Sequence, residues 1–260
     1  MQISNVFRPR VIPCLLLQNQ GLVKTIQFKE PRYIGDPINA VRIFNSSKSD
    51  ELVFLDITNA RERSKPKTDI LKDISDEAFM PFAAGGGVQT LEDVRNIIDS
   101  GAEKVVINTA AFTNPALISE ASAIFGSQAI IGSIDVRKND HGNYDLFSNG
   151  GTVKQEIKLI EHVRRLEEFG VGEILINSID NDGMMSGFDH DLIRIVSSNT
   201  TVPVIACGGA SDIDEIPEVI LEDGASAVAA GSIFVFIGSK RAVLINYPDQ
   251  DELFELFEEN

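Results

Sequence analysis

Tryptophan is absent from the 260 residues, and histidine occurs only three times. His141, His162 and His190 have no second histidine, cysteine or carboxylate pair at metal-ligand spacing, so no metal centre is expected. No Ser-His-Asp arrangement can be assembled from them either. Cysteine is as scarce: Cys14 and Cys207 each sit in an apolar, strand-like run. Two such thiols in a chain of this length point to core packing in a reducing compartment. Positive charge is short, with 23 Lys and Arg against 39 Asp and Glu and a net charge of −16. Nucleic acid is a poor partner for that surface. An anionic substrate would have to be held by backbone N–H groups and a few lysines. No apolar run reaches membrane-spanning length, so no membrane partner is expected. The start, Met1-Gln2-Ile3-Ser4-Asn5, lacks the charged-then-apolar pattern of a secretory signal, and a cytoplasmic location is expected. Gly85-Gly86-Gly87 lacks the later glycine of a dinucleotide fingerprint, and no cofactor is expected.

What is present is enough for a large core: 43% of the residues are hydrophobic. Eight apolar runs of strand length alternate with helix-period segments. The runs are Arg10–Leu17, Glu51–Ile57, Met80–Ala84, Lys104–Asn108, Gln128–Val136, Glu173–Ser178, Val202–Cys207 and Ala225–Gly231. Helices are predicted over Thr90–Ser100 and Val153–Phe169. Strands apolar on both faces and separated by helices indicate a parallel sheet, and eight units suggest closure into a (β/α)8 barrel. Lys138–Ser148 reads as an extra hairpin after strand five. Gln20–Pro37 reads as a lid, in which a lone lysine, Lys24, is by default solvated. The acidic stretch Asp249–Asn260 reads as the solvated face of a last helix.

An internal repeat organises the chain. Met80-Pro-Phe-Ala-Ala-Gly-Gly-Gly87 recurs as Val202-Pro-Val-Ile-Ala-Cys-Gly-Gly209, about 122 residues later. Ser100-Gly-Ala-Glu-Lys-Val105 recurs as Asp223-Gly-Ala-Ser-Ala-Val228, Glu51-Leu-Val as Glu173-Ile-Leu, and Thr90–Asp99 as Asp212–Leu221. The expectation is one domain, 1–260, built from two (βα)4 halves of roughly 8–124 and 125–245.

The active site of such a barrel lies at the C-terminal ends of its strands. Strands three and seven end in glycines, including Gly86, Gly87, Gly208 and Gly209. Strands four and eight end in Asn108-Thr109 and Gly231-Ser232. Glycines admit an oxyanion to the backbone, and helix N-termini aim N–H donors at it. One glycine pair would be no more than a tight turn. Two matched sets predict two phosphate sites across one mouth, and so a long substrate phosphorylated at both ends. Among the carboxylates, Asp135 closes the apolar run of strand five and suits a general acid or base. Asp56 and Asp180 are also consistent with loop anchoring or capping, the preferred reading for Asp180. Asp182, before Gly183, is read as facing the substrate.

These residues resemble the cyclase (synthase) subunit family of imidazole glycerol phosphate synthase. The resemblance runs from Arg10-Val-Ile-Pro-Cys14 to Ala229-Ala-Gly-Ser232. It is carried by Gly35-Asp-Pro37, Asp50-Glu-Leu-Val-Phe-Leu-Asp-Ile-Thr58, Gly85-Gly-Gly87, Ile107-Asn-Thr-Ala-Ala111, Phe125-Gly-Ser-Gln128, Gly172-Glu-Ile-Leu175 and Ser178-Ile-Asp-Asn-Asp-Gly183. It implies a ligand with two phosphates and ammonia delivered by a glutamine amidotransferase partner through the barrel bottom. The matching gate residues are Arg10, Glu51, Lys104 and Glu173, which without the resemblance read as barrel-bottom salt bridges. Lys24, Asp56 and Gly183 match substrate-side positions, and Asp135 and Asp182 the catalytic ones.

One departure stands out. The family carries an aspartate at the end of strand one, paired across the barrel with that of strand five. Here Leu16 holds the place, as the repeat also shows: Ile12-Pro-Cys-Leu-Leu16 aligns with Ile131-Gly-Ser-Ile-Asp135. The serine and threonine expected near the second phosphate are replaced by Cys207 and Met184. Leu15-Leu-Leu17 with Gly21-Leu-Val-Lys-Thr25 resembles the divergent branch that, with an amidotransferase-like subunit, turns an acetamido group of bacterial surface sugars into an acetamidino group. That branch implies amidine formation in lipopolysaccharide-type glycan biosynthesis. The rival is imidazole ring closure in histidine biosynthesis. A scaffold without catalysis would not need Asp135, Asp182 and both glycine loops, and a sugar-phosphate isomerase would not need the gate.

Overall fold

The computed structural model describes residues 8–62 and 64–258. The reading of Met1–Asn5 lies outside them, as do the last two residues of the acidic stretch. Eight parallel strands close into a barrel: β1 (Arg10–Gln18), β2 (Leu52–Asp56), β3 (Phe82–Gly85), β4 (Lys104–Ile107), β5 (Ile130–Lys138), β6 (Glu173–Ser178), β7 (Val204–Cys207) and β8 (Ala227–Ala230). Each pairs with the next, and β8 pairs with β1 through Arg10↔Ala227 to Pro13↔Ala230. Helices run between the strands, so the chain is a (β/α)8 barrel.

Every barrel strand is buried on both faces because its alternate residues feed two cores. Val11, Leu15, Phe54, Phe82, Ile107, Ile134, Ile176 and Val228 point outward and pack under the helices. Ile12, Cys14, Val53, Ala83, Val106, Ile131, Leu175, Ile205, Cys207, Ala227 and Ala229 point inward and fill the barrel. The same period of two carries each strand's inward set from its bottom to its mouth. Arg10, Ile12, Cys14 and Leu16 follow one another in β1, and Glu173, Leu175 and Asn177 in β6.

Local chemistry explains most element ends. The helix predicted at Thr90–Ser100 spans Leu91–Asp99, with Thr90 and Asp93 forming a reciprocal capping box. Its repeat mate starts instead as a 3-10 turn, Ile213–Glu215, capped by Asp212, and becomes α-helical only over Ile216–Leu221. Pro217 lacks the N–H that a helix running regularly from Ile213 would bond to the Ile213 carbonyl, whereas in the first turn of a helix starting at Ile216 that N–H is not needed.

The helix predicted over Val153–Phe169 is shorter, Leu159–Phe169. Val153–Gln155 is a strand that extends the predicted hairpin, pairing antiparallel with Tyr144–Ser148, which pairs with the end of β5. The Gln155 side chain donates to Ser148 Oγ at 2.8 Å. Pairing with a formed neighbour outweighs the helical spacing of apolar residues there. The last helix, Gln250–Glu258, docks through the fully buried Leu253 and leaves its acids mostly exposed.

His162 sits in the core and stacks on Phe112 with ring centroids 4.1 Å apart. Burial, aided by the charge of Arg165, pushes its pKa down to about 4. The unfolded value is about 6.5, so folding favours the neutral ring. Its contribution is intact above pH 6.5 and is lost as pH falls from there to about 4. The loss amounts to about 3 kcal/mol. Urea unfolding at pH 7.5 and pH 4.5 is expected to show it, and His162→Phe should remove most of that difference. An unchanged pH dependence in the variant would mean other groups carry it.

Candidate functional site

The strand ends open into a cavity of about 380 Å3. On one side it is lined by Gly86, Gly87, Asn108 and Thr109, and on the other by Gly208, Gly209, Gly231 and Ser232. Gly86 and Gly209, one from each copy of the repeat, both lie at positive φ, +114° and +116°. A Cβ on Gly86 would lie 2.3 Å from the Asp56 carbonyl oxygen, and one on Gly209 2.1 Å from that of Gly187. No L side chain fits either place. Thr109 begins the helix Thr109–Thr113, and Ser232 the 3-10 turn Ser232–Phe234. Two patches of backbone N–H and hydroxyl donors thus face each other across the mouth, an arrangement able to hold two oxyanions.

Between them lie the carboxylates. Asp135 on β5 is buried, and Asn108 Nδ2 donates to its Oδ2 at 3.3 Å. Burial first, and then the charge of Asp182, push the Asp135 pKa up to about 7. Burial also raises Asp182, although Lys24 and a hydrogen bond from Thr25 Oγ1 at 3.2 Å pull the other way. Gln27 N donates to the Asp182 carbonyl at 2.8 Å, tying the loop after β6 to the segment after β1.

That segment is an antiparallel hairpin, Gly21–Ile26 with Lys29–Gly35, hydrogen-bonded to the end of β1. It corrects the default reading of Lys24. The lysine is 7% exposed, and its Nζ donates to the Cys14 carbonyl at 3.3 Å. Folding of the hairpin against β1 turns it inward, into the cavity. Asp56 lines the cavity while its Oδ1 accepts from Thr58 N at 2.9 Å. Asp180 anchors the hairpin after β5, its Oδ2 accepting from Lys138 N at 2.8 Å. Gly183 also lines the cavity, and Leu16 lies there next to Leu55 of β2.

At the opposite end, the first inward residues of four strands form a closed ring. Arg10 pairs with Glu51 and Glu173, and Lys104 reaches each of the same two carboxylates at 2.9 Å. Burial pulls the Arg10 guanidinium down, but Glu173 and Glu51 outweigh it and its pKa is raised. Apolar inward side chains separate this ring from the cavity.

A family model described as histidine biosynthesis protein matches residues 10–239. The chain belongs to this family. A Pseudomonas aeruginosa protein provisionally named imidazole glycerol phosphate synthase subunit hisF2 is 51% identical over 246 residues, covering 95% of this chain and 98% of its own. Imidazole glycerol phosphate synthase subunit HisF of Leptospira biflexa is 41% identical over 228 residues, 87% of this chain and 89% of its own. That of Alkaliphilus metalliredigens is 39% identical over 225 residues, 86% and 89% of the two chains.

Within the histidine biosynthesis family frame, some cavity residues escape motif reading. Asn177 of β6 is 6% exposed and lines the cavity beside Asp135, its register neighbour, yet its Oδ1 has no hydrogen-bond partner among the described residues. The available signal was parity: Asn177 is four residues after Glu173 and shares its inward face. Cys14 and Cys207 are free and buried, but they face the barrel interior and line the cavity, in hydrogen-bond contact with each other. Met184 is 40% exposed and does not line the cavity; Met185, with φ of +58°, does. The turn after Gly183 thus brings Met185, and not the expected Met184, to the cavity. Among the described residues, no group of three or more His, Cys, Asp or Glu is placed to hold a metal, and no helix is long and apolar enough to cross a membrane.

Proposed function

We propose that this chain is the ammonia-consuming subunit of a synthase that forms an amidine on a phosphorylated precursor of surface glycans. As a member of the family it is an ammonia-dependent synthase subunit. A glutamine amidotransferase docks at the barrel bottom and releases ammonia beneath the ring Arg10–Glu51–Lys104–Glu173. Ammonia then rises past the apolar inward side chains to Asp135 and Asp182, the acid–base groups. Lys24, Asp56, Asn108 and Gly183 position the substrate. Gly86, Gly87 and Thr109 hold one phosphate, and Gly208, Gly209, Gly231 and Ser232 the other. The two sides of the mouth descend from half-barrels of about 8–124 and 125–245. Buried free thiols and a net negative surface suit a cytoplasmic protein without a nucleic-acid partner.

The observation that carries the choice of reaction is Leu16. A leucine cannot transfer a proton, and imidazole closure in the resembled enzymes uses a strand-one carboxylate facing that of strand five. The test is a cyclase assay on the purified chain with the ring-opened ribonucleotide substrate and ammonium salt at high pH. Little or no imidazole glycerol phosphate is expected. Efficient turnover would restore histidine biosynthesis, the reading that the names of the Leptospira biflexa and Alkaliphilus metalliredigens relatives favour.

Anion binding is tested without knowing the substrate. A flexible bisphosphate at 100 times its Kd is expected to stabilise the fold by about 2.7 kcal/mol. Thermal melts should rise by roughly 5–10 °C, and crystals grown in phosphate should carry anions beside Gly87 with Thr109 and beside Gly209 with Ser232. Crystals with both positions empty and both loops turned away would count against the two-phosphate reading.

A further inference from the structure

The barrel centre is rich in acceptors and poor in positive charge. Asp135 is buried there and Asp182 half-buried, and Asn177 Oδ1 is a third acceptor in the same cavity, unpartnered among the described residues. The only lysine among the described residues lining this cavity, Lys24, acts on Asp182 and spends a hydrogen bond on the Cys14 carbonyl. Asp135 has no ion-pair partner among the described residues: its hydrogen bond comes from the neutral amide of Asn108. A neutral donor would satisfy the Asn177 acceptor but leave the Asp135 carboxylate uncompensated, and an anionic group would add to its repulsion. A planar cation with several N–H donors would satisfy both.

The geometry points to an amidinium site at the barrel centre, in which Asp135 and Asn177 Oδ1 accept N–H donors from a cationic amidine and Asp182 supplies a second carboxylate. The site rests on the amidine reading above and deepens it: the centre holds the charged product of the reaction, and Asn177 is a ligand-contacting residue. The groups around Asp135 are few. Asn108 directly follows β4, Asn177 and Ser178 come from β6, Asp182 from the following loop, and Lys24 and Thr25 from the hairpin after β1. The Cys14 and Cys207 thiols come from β1 and β7, and Phe147 from the strand paired with β5. Of these only Asp182, Lys24 and the thiols titrate. With Asp135 at about 7, its carboxylate form grows roughly tenfold between pH 6 and pH 8.

The test uses the intact purified chain, with acetamidinium chloride as probe and acetamide as its neutral counterpart of the same shape. NMR titration is expected to give at least tenfold tighter binding of acetamidinium at pH 8. That binding should weaken about tenfold at pH 6, where the probe stays charged. A soaked crystal should show it between Asp135 and Asn177. Asn177→Leu should weaken binding at least tenfold, and Asp135→Asn should abolish the pH dependence. Equal binding of the two probes, pH-independent binding, or density only at surface carboxylates would overturn the site. The first two of these outcomes are read on the unmodified protein, so a variant that fails to fold leaves the test intact. No turnover or partner is needed. Efficient imidazole formation together with selective acetamidinium binding would remove the amidine reading and leave the cation site standing. Failure of the probe experiment would remove the site alone.

Discussion

Leu16→Asp is expected to raise imidazole-forming activity of the purified subunit by about 100-fold or more over the unmodified chain. A positioned acid or base typically contributes about 10²–10⁴-fold. The position is already aimed correctly. Leu16 follows Arg10, Ile12 and Cys14 on the inward face of β1, lines the cavity, and lies level with Leu55 of β2. Its counterpart by sequence repeat, Asp135, lies in the same cavity on β5, so the substitution restores a pair of carboxylates facing each other. The change has a cost. Removing the partly buried leucine forfeits about 1–3 kcal/mol of apolar burial, and a second carboxylate raises the Asp135 pKa further by repulsion. Activity should therefore climb with pH until either the introduced carboxyl group or Asp135 ionises to serve as base. The measurement is a steady-state assay at several pH values beside a thermal melt. A folded variant with no gain would mean that the rest of the cavity is shaped for another substrate, and that the leucine is a consequence of the change in function and not its cause.

The sequence exposes some of this architecture for a simple reason. Barrel strands alternate between two apolar cores, so any polar residue on an inward position is conspicuous, and the ends of the strands fall where glycines and carboxylates interrupt the run. Arg10, Glu51, Lys104 and Glu173 at one end, and Asp135 at the other, are visible on those grounds. The matched glycines are visible because they recur. Lys24 is visible only through the family resemblance, because its burial depends on how a hairpin folds back on β1, a tertiary event with no local signature. Asn177 is inconspicuous because a single asparagine near a strand end resembles a turn signal. Its significance comes from Asp135 on the neighbouring strand, which only the register β5–β6 brings alongside. The hairpin strand Val153–Gln155 was hidden for the same reason, since its residues also fit a helical spacing.

Charge reversal at the barrel bottom should separate delivery of ammonia from its use. The ring is balanced, with Arg10 and Lys104 against Glu51 and Glu173, and each cation touches both acids. Lys104→Glu leaves one guanidinium among three carboxylates. Removing one partner of a fully buried pair costs about 3–5 kcal/mol. Here the Arg10 and Lys104 side chains retain 31% and 18% exposure, so water screens part of the excess charge, but Glu51 is only 2% exposed and reversal adds repulsion, so the cost stays within that range. A barrel of ordinary stability, about 5–15 kcal/mol, survives that loss. The closed ring does not: repulsion among Glu51, Glu173 and the new carboxylate forces it apart and lets water into the passage. With the glutaminase partner present, glutamine-driven turnover is expected to fall at least tenfold relative to turnover with added ammonium salt, which can enter through the open mouth. Lys104→Met, which keeps the stem and drops the charge, should fall in between. The readout is the ratio of the two rates for each variant, with a thermal melt to confirm folding. If the ratio is unchanged when the charge is reversed, ammonia does not pass this ring, and the four residues are what they look like without a partner: salt bridges that close the bottom of a barrel.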